Sequence, residues 1–260
     1  MKDVQDEKPH YKEKIDLVGI KKLLIPVIIK DRSKRTQHTS ALIEVSVCLS
    51  KHKRGTHMSR FTEHIGFANT DLTYESIKET LEYIRQKMNA ESAYIKLDFP
   101  YFLEKNSPVS KLKSLSSYNV SFTGELKKKR FYFKMSVEVP VMTLCPCSKE
   151  ISKYSAHNQR AYVTIEVDTN SFIWIEDLID IAEESGSSPL YTTLKRPDEK
   201  YVTERSYDNP KFVEDVVREA AIELKKYPHI RKFKVTAESV ESIHNHSAYA
   251  VIEYEKSNRH

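Results

Sequence analysis

The sequence predicts an α+β fold with antiparallel sheets and helices on one face. Several segments alternate apolar and polar side chains with a period of two, which is typical of half-buried strands. Short polar loops join neighbouring strands as hairpins, and hairpins make a sheet antiparallel. Other segments place apolar residues three or four positions apart, which is the spacing of one face of an amphipathic helix.

The first half of the chain begins with a charged segment, residues 1–20, that we expect to form a flexible arm. Pro26 in the next segment favours a strand at the edge of a sheet. The predicted elements are, in order, strands at Leu23–Ile29, Ala41–Leu49 and Thr56–Gly66, a helix capped by Thr73, and strands at Tyr94–Phe102 and Tyr118–Leu126.

The second half repeats this order of strands and helices with little sequence repeat. Its predicted elements are strands at Phe131–Val141 and Arg160–Asp168, helices at Trp174–Glu184 and from Pro210 onward, and strands at Phe233–Val240 and Ala248–Tyr254. Two structural units in tandem are therefore expected, residues 21–127 and 128–260.

Composition limits the possible functions. With 39% hydrophobic residues the chain can build a core, and with only five glycines it has no glycine-rich loop for phosphate. No apolar run approaches the roughly 20 residues of a membrane span, and no secretory leader opens the chain. Three cysteines fit a reducing cytoplasm better than a disulfide framework. The basic run Lys127–Arg130 lacks interleaved aromatic residues, so we expect a solvated hairpin tip and no nucleic-acid partner.

The strongest chemical signal combines two thiols with an imidazole. Cys145 and Cys147 follow an alternating strand, and His157 comes soon after them. Thiolate and neutral imidazole are donors that zinc prefers. Buried cysteines are otherwise ordinary small core residues, so these residues alone leave both readings open.

Other candidate residues are equally ambiguous by themselves. Glu199 lies in a charged segment, Lys195–Lys200, that reads as a solvated turn. Glu214 would interact favourably with the N-terminal dipole of its helix. Glu241 and His244 precede the last strand, where a carboxylate can fix the tautomer of an imidazole that moves protons; His246 has no assigned role.

Whole segments carry a more specific signal, because they resemble the bacterial and archaeal type IB GTP cyclohydrolases of the tunnelling-fold superfamily. The resemblance covers roughly residues 20–255 in the family's order. Its blocks are Arg54–Phe61, Leu144–Glu150 with Ala156–Arg160, Lys195–Glu199, Asn209–Asp215 and Glu238–His246.

The resemblance implies a fold, an assembly and a substrate. It implies two tandem tunnelling-fold units that join across subunits into barrels, in a homo-oligomer expected to be a tetramer with active sites at subunit interfaces. The implied activity converts GTP and water to 7,8-dihydroneopterin triphosphate and formate, the first step of folate-type pterin synthesis. A metal-activated water would attack C8 of guanine.

The resemblance also assigns roles to residues. Cys145, His157 and Glu199 would hold one divalent metal, Zn²⁺ by default, although such a donor set also accepts Mn²⁺ or Fe²⁺. Cys147, Glu241 and His244 would move protons, and Glu214 would anchor the guanine edge. The triphosphate would contact cationic side chains, for which the best candidates are Arg60, Lys195 and Arg196.

Two other functions compete with this one. A nitrile reductase of queuosine biosynthesis shares the fold, but its Glu-Ser-Lys-Ser type motif is absent from this chain. A non-catalytic zinc-binding module that contacts nucleic acid would require a fourth protein ligand and a strongly basic face. Metal content separates the first alternative from a cyclohydrolase, and turnover of GTP separates the second.

Overall fold

The computed structural model describes Gln5, residues 7–63, Ile65, and residues 71–169 and 171–256. The strands are β1 (Ile15–Asp31), β2 (Arg35–Leu49), β3 (Ser92–Asn106), β4 (Lys113–Lys127), β5 (Arg130–Leu144), β6 (Asn158–Thr169), β7 (Ser188–Pro189), β8 (Ile230–Val240) and β9 (Ser247–Glu255). The helices are α1 (Ser59–Thr62), α2 (Tyr74–Lys87), α3 (Pro146–Ile151), α4 (Ile175–Ser185), α5 (Arg196–Asp208) and α6 (Val213–Leu224).

The sheet is antiparallel, as predicted. The hydrogen-bonded strand order is β1-β2-β3-β4-β5-β6-β8-β9, and β7 pairs with β5. Two compact units are formed, one from Met1–Pro100 with Ser121–Lys134 and the other from Tyr101–Val120 with Met135–His260. Strands β3, β4 and β5 contribute residues to both units. The α+β class is thus confirmed, whereas a tandem division at residue 127 stays a prediction.

The first unit buries one face of α2 among its strands. Thr73 and Ser76 cap this helix reciprocally: the Ser76 amide donates to Thr73 Oγ1 over 3.1 Å, and the Thr73 amide donates to Ser76 Oγ over 2.9 Å. Ile77, Leu81 and Ile84 below the cap are fully buried. The spacing of three and four residues between apolar positions therefore correctly predicted the buried face of α2.

The second unit contains a buried polar cluster on α4. Glu183 accepts hydrogen bonds from Lys105 Nζ over 2.6 Å and from the Tyr118 hydroxyl over 2.7 Å. Burial, the negative charge of Glu183 and the hydrogen bond to it all raise the pKa of Tyr118, so this hydroxyl remains a donor at physiological pH. The Glu183 carboxylate is paired with the Lys105 ammonium group and accepts from the Tyr118 hydroxyl. The cluster therefore avoids the free-energy cost of an unpaired buried ion.

Most predicted elements are confirmed, but four predictions differ from the structure. No strand occupies the described part of Thr56–Gly66; β1 is the hairpin partner of β2, and α1 forms in the segment instead. The charged segment Lys195–Lys200 is the start of α5, not a turn. The last helix begins at Val213 rather than Pro210, because Phe212 is its N-cap in an extended conformation. Strand β1 also begins at Ile15, inside the segment expected to be an arm.

Gly124 makes a test of core packing in the first unit. A Cβ at this position would lie 2.7 Å from Ile77 Cγ2 and 3.1 Å from Leu81 Cδ1. Overpacking of this kind typically costs about 1–3 kcal/mol, so Gly124→Ala is expected to lower the free energy of unfolding by that amount in urea denaturation. Gly55→Ala is the matched control, since its Cβ would meet no atom closer than 3.4 Å. Equal stability of the two variants would contradict this account of the core.

Candidate functional site

A cleft of about 440 Å³ lies in the second unit and collects polar side chains from separate segments. Its lining comes from the end of β5, the start of β6, the start of α6, the end of β8 and the start of β9. The lining residues are Thr143, Cys145, Gln159, Lys211, Phe212, Val213, Glu214, Ser239, Glu241, Ala248 and Tyr249. Three of the predicted site residues, Cys145, Glu214 and Glu241, therefore meet in one cavity.

Backbone hydrogen bonds at the end of β5 hold the cleft together. The Cys145 amide donates to the His157 carbonyl over 3.1 Å, and the Lys211 amide donates to the Leu144 carbonyl over 3.1 Å. The side-chain amide of Asn209 donates to the carbonyls of Gly186 and Ser187 over 3.1 and 3.3 Å. These bonds fix the segment that leads into α6, and so place Glu214 beside Cys145.

The Cys145 sulfur is the N-cap of the short helix α3. Cys145 Sγ accepts a hydrogen bond from the Ser148 amide over 3.4 Å, and Ser148 Oγ accepts one from the His157 amide over 3.2 Å. The sulfur therefore lies at the first turn of α3, and cysteine sulfur is a donor that zinc prefers. Cys145 is only partly buried, so a cation in the cleft can reach it.

The His157 ring belongs to a chain of polar groups. Its Nδ1 lies 2.9 Å from Gln159 Oε1 and 3.3 Å from Ser242 Oγ. Gln159 Nε2 donates to Thr143 Oγ1 over 3.3 Å, and Thr143 Oγ1 lies 3.4 Å from Ser239 Oγ. Both hydroxyl residues are buried, with 1% of their surface exposed. Sequence reasoning missed this chain, although Gln159 and Ser239 lie inside blocks that it quoted.

The two carboxylates of the cleft have no partner among the described residues. Glu214 lies in the first turn of α6 and is exposed, while Glu241 follows the end of β8 and is half-buried. Asp215, next to Glu214, accepts a hydrogen bond from the Phe212 amide over 3.0 Å and so caps the helix. With Asp215 in the capping role, the carboxylate of Glu214 remains available to a ligand.

Several predicted residues lie outside the cleft lining. Cys147 is exposed on α3. His244 is exposed in the β8–β9 connection, where its ring stacks on that of His246 with centroids 5.1 Å apart. Lys195 and Arg196 are exposed at the start of α5. Arg60 lies on α1, in the first unit.

Glu199 is exposed near the start of α5 and is not brought to Cys145 and His157. Its neighbour Asp198 is buried and accepts hydrogen bonds from the Val109 and Ser110 amides over 2.8 Å. The opposite end of the helix, Thr203–Asp208, lines a groove with Ala156 and Asn158. Glu199 therefore lies about one helical turn, roughly 6 Å along the axis, before the first residue of α5 that lines this groove.

The donor chemistry fits a divalent metal only in part. Cys145 and His157 are adjacent and offer one sulfur and one nitrogen, the donors that zinc prefers. Within the described part of the chain, however, no three His, Cys, Asp or Glu side chains come close enough to hold a metal ion. A catalytic zinc site usually has three protein ligands, so these two candidate donors do not by themselves reach that number.

Comparison with known proteins identifies the family. A family model described as type I GTP cyclohydrolase folE2 matches residues 1–250. The chain belongs to this family. Proteins named GTP cyclohydrolase FolE2 from Magnetococcus marinus and Thermosipho africanus are 48% and 51% identical to it, over 97% of this chain and 96% and 97% of their own lengths. The protein of that name from Kosmotoga olearia is 49% identical over 99% of this chain and 100% of its own. These matches favour a cyclohydrolase over the nitrile reductase and the zinc-binding module.

A solved structure shares the overall fold. The crystal structure of uricase from Arthrobacter globiformis aligns with a TM-score of 0.50 at 9% identity, covering 94% of this chain and 95% of the uricase. At such low identity the likeness concerns the fold alone. Separately, none of the helices in the described residues has the length and apolar character needed to cross a bilayer.

The capping carboxylate of α5 has a testable pH signature. Burial tends to raise the pKa of Asp198, but hydrogen bonds from Ser110, Lys195 and Val109 outweigh burial and hold this pKa well below its usual value. The carboxylate therefore stabilises the fold fully above the unfolded-state pKa of about 3.9, and that contribution is lost as the pH falls toward the folded-state pKa. Asp198→Asn is expected to be less stable than the wild type at pH 7 and pH 5 in urea denaturation.

The stability difference between Asp198→Asn and the wild type should narrow below about pH 4. The matched control is Glu199→Gln, because its exposed side chain makes no hydrogen bond or ion pair within the described residues. A difference for Asp198→Asn that is independent of pH would show that the ionised carboxylate is not what holds α5.

Proposed function

We propose that the second-unit cleft is the guanine site of a GTP cyclohydrolase that converts GTP and water to 7,8-dihydroneopterin triphosphate and formate. Family membership supplies the reaction class. The observation that supports the site most directly is the cleft itself, which is lined by Cys145, Glu214 and Glu241 from three separate segments. The direct test is to supply GTP to metal-loaded protein and to detect the fluorescent oxidised neopterin product.

Glu214 is the residue that recognises guanine. Its carboxylate can accept two parallel hydrogen bonds, from N1–H and from the 2-amino group of the base. Adenine presents no such pair of donors, so the charge-assisted contact discriminates between the two purines. Phe212 and Tyr249 line the same cleft, and their partly exposed rings offer apolar faces for a planar base.

The metal is held by Cys145, His157 and Glu199, with Zn²⁺ as the default and Mn²⁺ or Fe²⁺ as alternatives. When bound, such a cation lowers the pKa of water and polarises the bond that hydrolysis attacks. The protein contributes two of the three donors from one loop, where the Cys145 sulfur already accepts an amide hydrogen bond. Replacing Cys145 by Ser would therefore weaken metal binding more than it weakens guanine binding.

Proton transfer during ring opening is assigned to Glu241, His244 and Cys147. Glu241 is half-buried in the cleft and, within the described residues, has no partner that would hold its charge. His244 and Cys147 lie on exposed segments that flank the cleft-lining residues Glu241 and Cys145 in sequence. An imidazole titrates near neutral pH and can both accept and return a proton as formate leaves.

The active protein is a homo-oligomer, proposed to be a tetramer with active sites at subunit interfaces. In this arrangement Glu199 of one subunit completes the metal site of another, which accounts for its position near the start of α5, away from the end of the helix that lies by Ala156 and Asn158. Lys195 and Arg196 lie at the same end of the helix. Together with Arg60 they are proposed to contact the triphosphate, and Arg is suited to bidentate phosphate contacts. GTP is a cytosolic metabolite, so the enzyme is assigned to the cytoplasm.

The role of Glu214 is tested by Glu214→Gln. The amide retains one acceptor but loses the charge and presents N–H toward the guanine 2-amino group, so kcat/KM for GTP is expected to fall roughly 100-fold. Zinc content measured by atomic absorption should not change. Asp215→Asn is the matched control, because its oxygen can still accept from the Phe212 amide. Wild-type turnover by the Glu214 variant would remove this residue from guanine recognition.

The shared active site is tested by mixing two inactive variants. Cys145→Ala lacks one metal ligand and Glu199→Ala lacks another, so each protein alone should fail to turn over GTP. If the two ligands come from different subunits, co-refolded mixed oligomers regenerate complete sites, about one site in four at equal input. Activity of the mixture is measured against each variant refolded alone. If both ligands belong to the same subunit, no combination restores a site and the mixture stays inactive.

A further inference from the structure

We propose that Gln159 is a positioning residue that fixes the tautomer of His157, so that Nε2 carries the lone pair offered to the metal. This inference rests on the proposed metal site. It adds to that site a residue that contacts neither the reacting atoms nor the cation. The observation behind it is the 2.9 Å contact between Gln159 Oε1 and His157 Nδ1.

The contacts of His157 leave one of its ring nitrogens available to a metal. In a neutral imidazole one nitrogen donates a hydrogen bond and the other accepts one or binds a metal. Nδ1 of His157 is already contacted from two sides, by Gln159 Oε1 and by Ser242 Oγ. Its lone pair therefore cannot be the one presented to a cation, and Nε2 is the only nitrogen left to bind the metal.

The ring proton of His157 must then lie on Nδ1. For Nε2 to keep its lone pair in the neutral ring, Nδ1 must be protonated and must donate its hydrogen bond. A carbonyl oxygen can only accept, so Gln159 Oε1 stabilises this tautomer and disfavours the other one. A metal-bound histidine is commonly oriented in this way by an acceptor on its other nitrogen.

The orientation of the Gln159 amide decides which tautomer it supports, since a reversed amide would donate to Nδ1 and favour the other tautomer. Gln159 Nε2 faces Thr143 Oγ1 at 3.3 Å, and Thr143 in turn lies 3.4 Å from Ser239. Both hydroxyls are almost completely buried. In the structure the amide nitrogen therefore faces the hydroxyl pair and the amide oxygen faces the ring, which is the orientation that supports Nδ1–H.

Zinc affinity of the full-length protein separates this role from a purely structural one. Gln159→Leu removes the acceptor and is expected to weaken Zn²⁺ binding about 10- to 100-fold, measured by competition with a chromophoric chelator. Gln159→Glu retains an oxygen at the same position, so its affinity should equal or exceed that of the wild type.

Two reference variants make the result decisive. Ser242→Ala removes the longer contact to Nδ1 and should change Zn²⁺ affinity much less than Gln159→Leu does. His157→Ala should lose Zn²⁺ almost completely. If His157→Ala loses the metal but Gln159→Leu binds it as the wild type does, the positioning role is wrong and the proposed function stands. If His157→Ala binds Zn²⁺ normally, the proposed metal site itself is wrong.

The glutamate variant tests the inference even if the leucine variant does not fold. A carboxylate oxygen beside Nδ1–H must support the same tautomer, so Zn²⁺ binding by Gln159→Glu at least ten times weaker than wild type would overturn the proposal. Circular dichroism on each variant verifies that the comparison is made between folded proteins.

Discussion

The site depends on the last two residues before the chain leaves β5 for α3. At this point the Leu144 carbonyl accepts the Lys211 amide, and the Cys145 amide donates to the His157 carbonyl. The Leu144 amide is also satisfied, by Ser187 Oγ at 3.1 Å. Buried backbone groups must be paired, and here the pairing draws three distant segments to one place. The same bonds that satisfy the end of a strand thus assemble the residues that can carry chemistry.

Much of the fold could be predicted from local patterns. Alternation of apolar residues gave the strands of both halves, and the spacing of Ile77, Leu81 and Ile84 gave α2, because burial of one face leaves a clear period in the sequence. The failures have physical causes as well. Only one residue of α5 between Arg196 and Val202 is buried, and that residue is Asp198. A helix held by a buried carboxylate leaves no apolar stripe to read. The strand predicted at Thr56–Gly66 was wrong because the hairpin partner of β2 is β1.

The candidate site was predictable only through resemblance to a family. Thiols and an imidazole near one another suggest a metal, but nothing in local sequence connects Cys145 with Glu214, which lies on a helix far along the chain. The contacts at Leu144 and Lys211 create that proximity, and they are backbone contacts that side-chain types do not encode. Gln159 was missed for a related reason. Its proposed role is to fix the tautomer of His157, and no rule of sequence spacing reveals such a contact.

Asp198 and Glu199 are consecutive residues with opposite surroundings, and this has a consequence for how the chain can vary. Neighbouring positions on a helix point about 100° apart. Inserting or deleting one residue between the N-cap Lys195 and Asp198 would rotate the Asp198 carboxylate away from the Val109–Ser110 loop. A residue adjacent to Asp198 in the sequence would then face that loop. The number of residues at the start of α5 is therefore constrained, because a change of one residue would lose both the buried anchor of the helix and the direction of the carboxylate beside it.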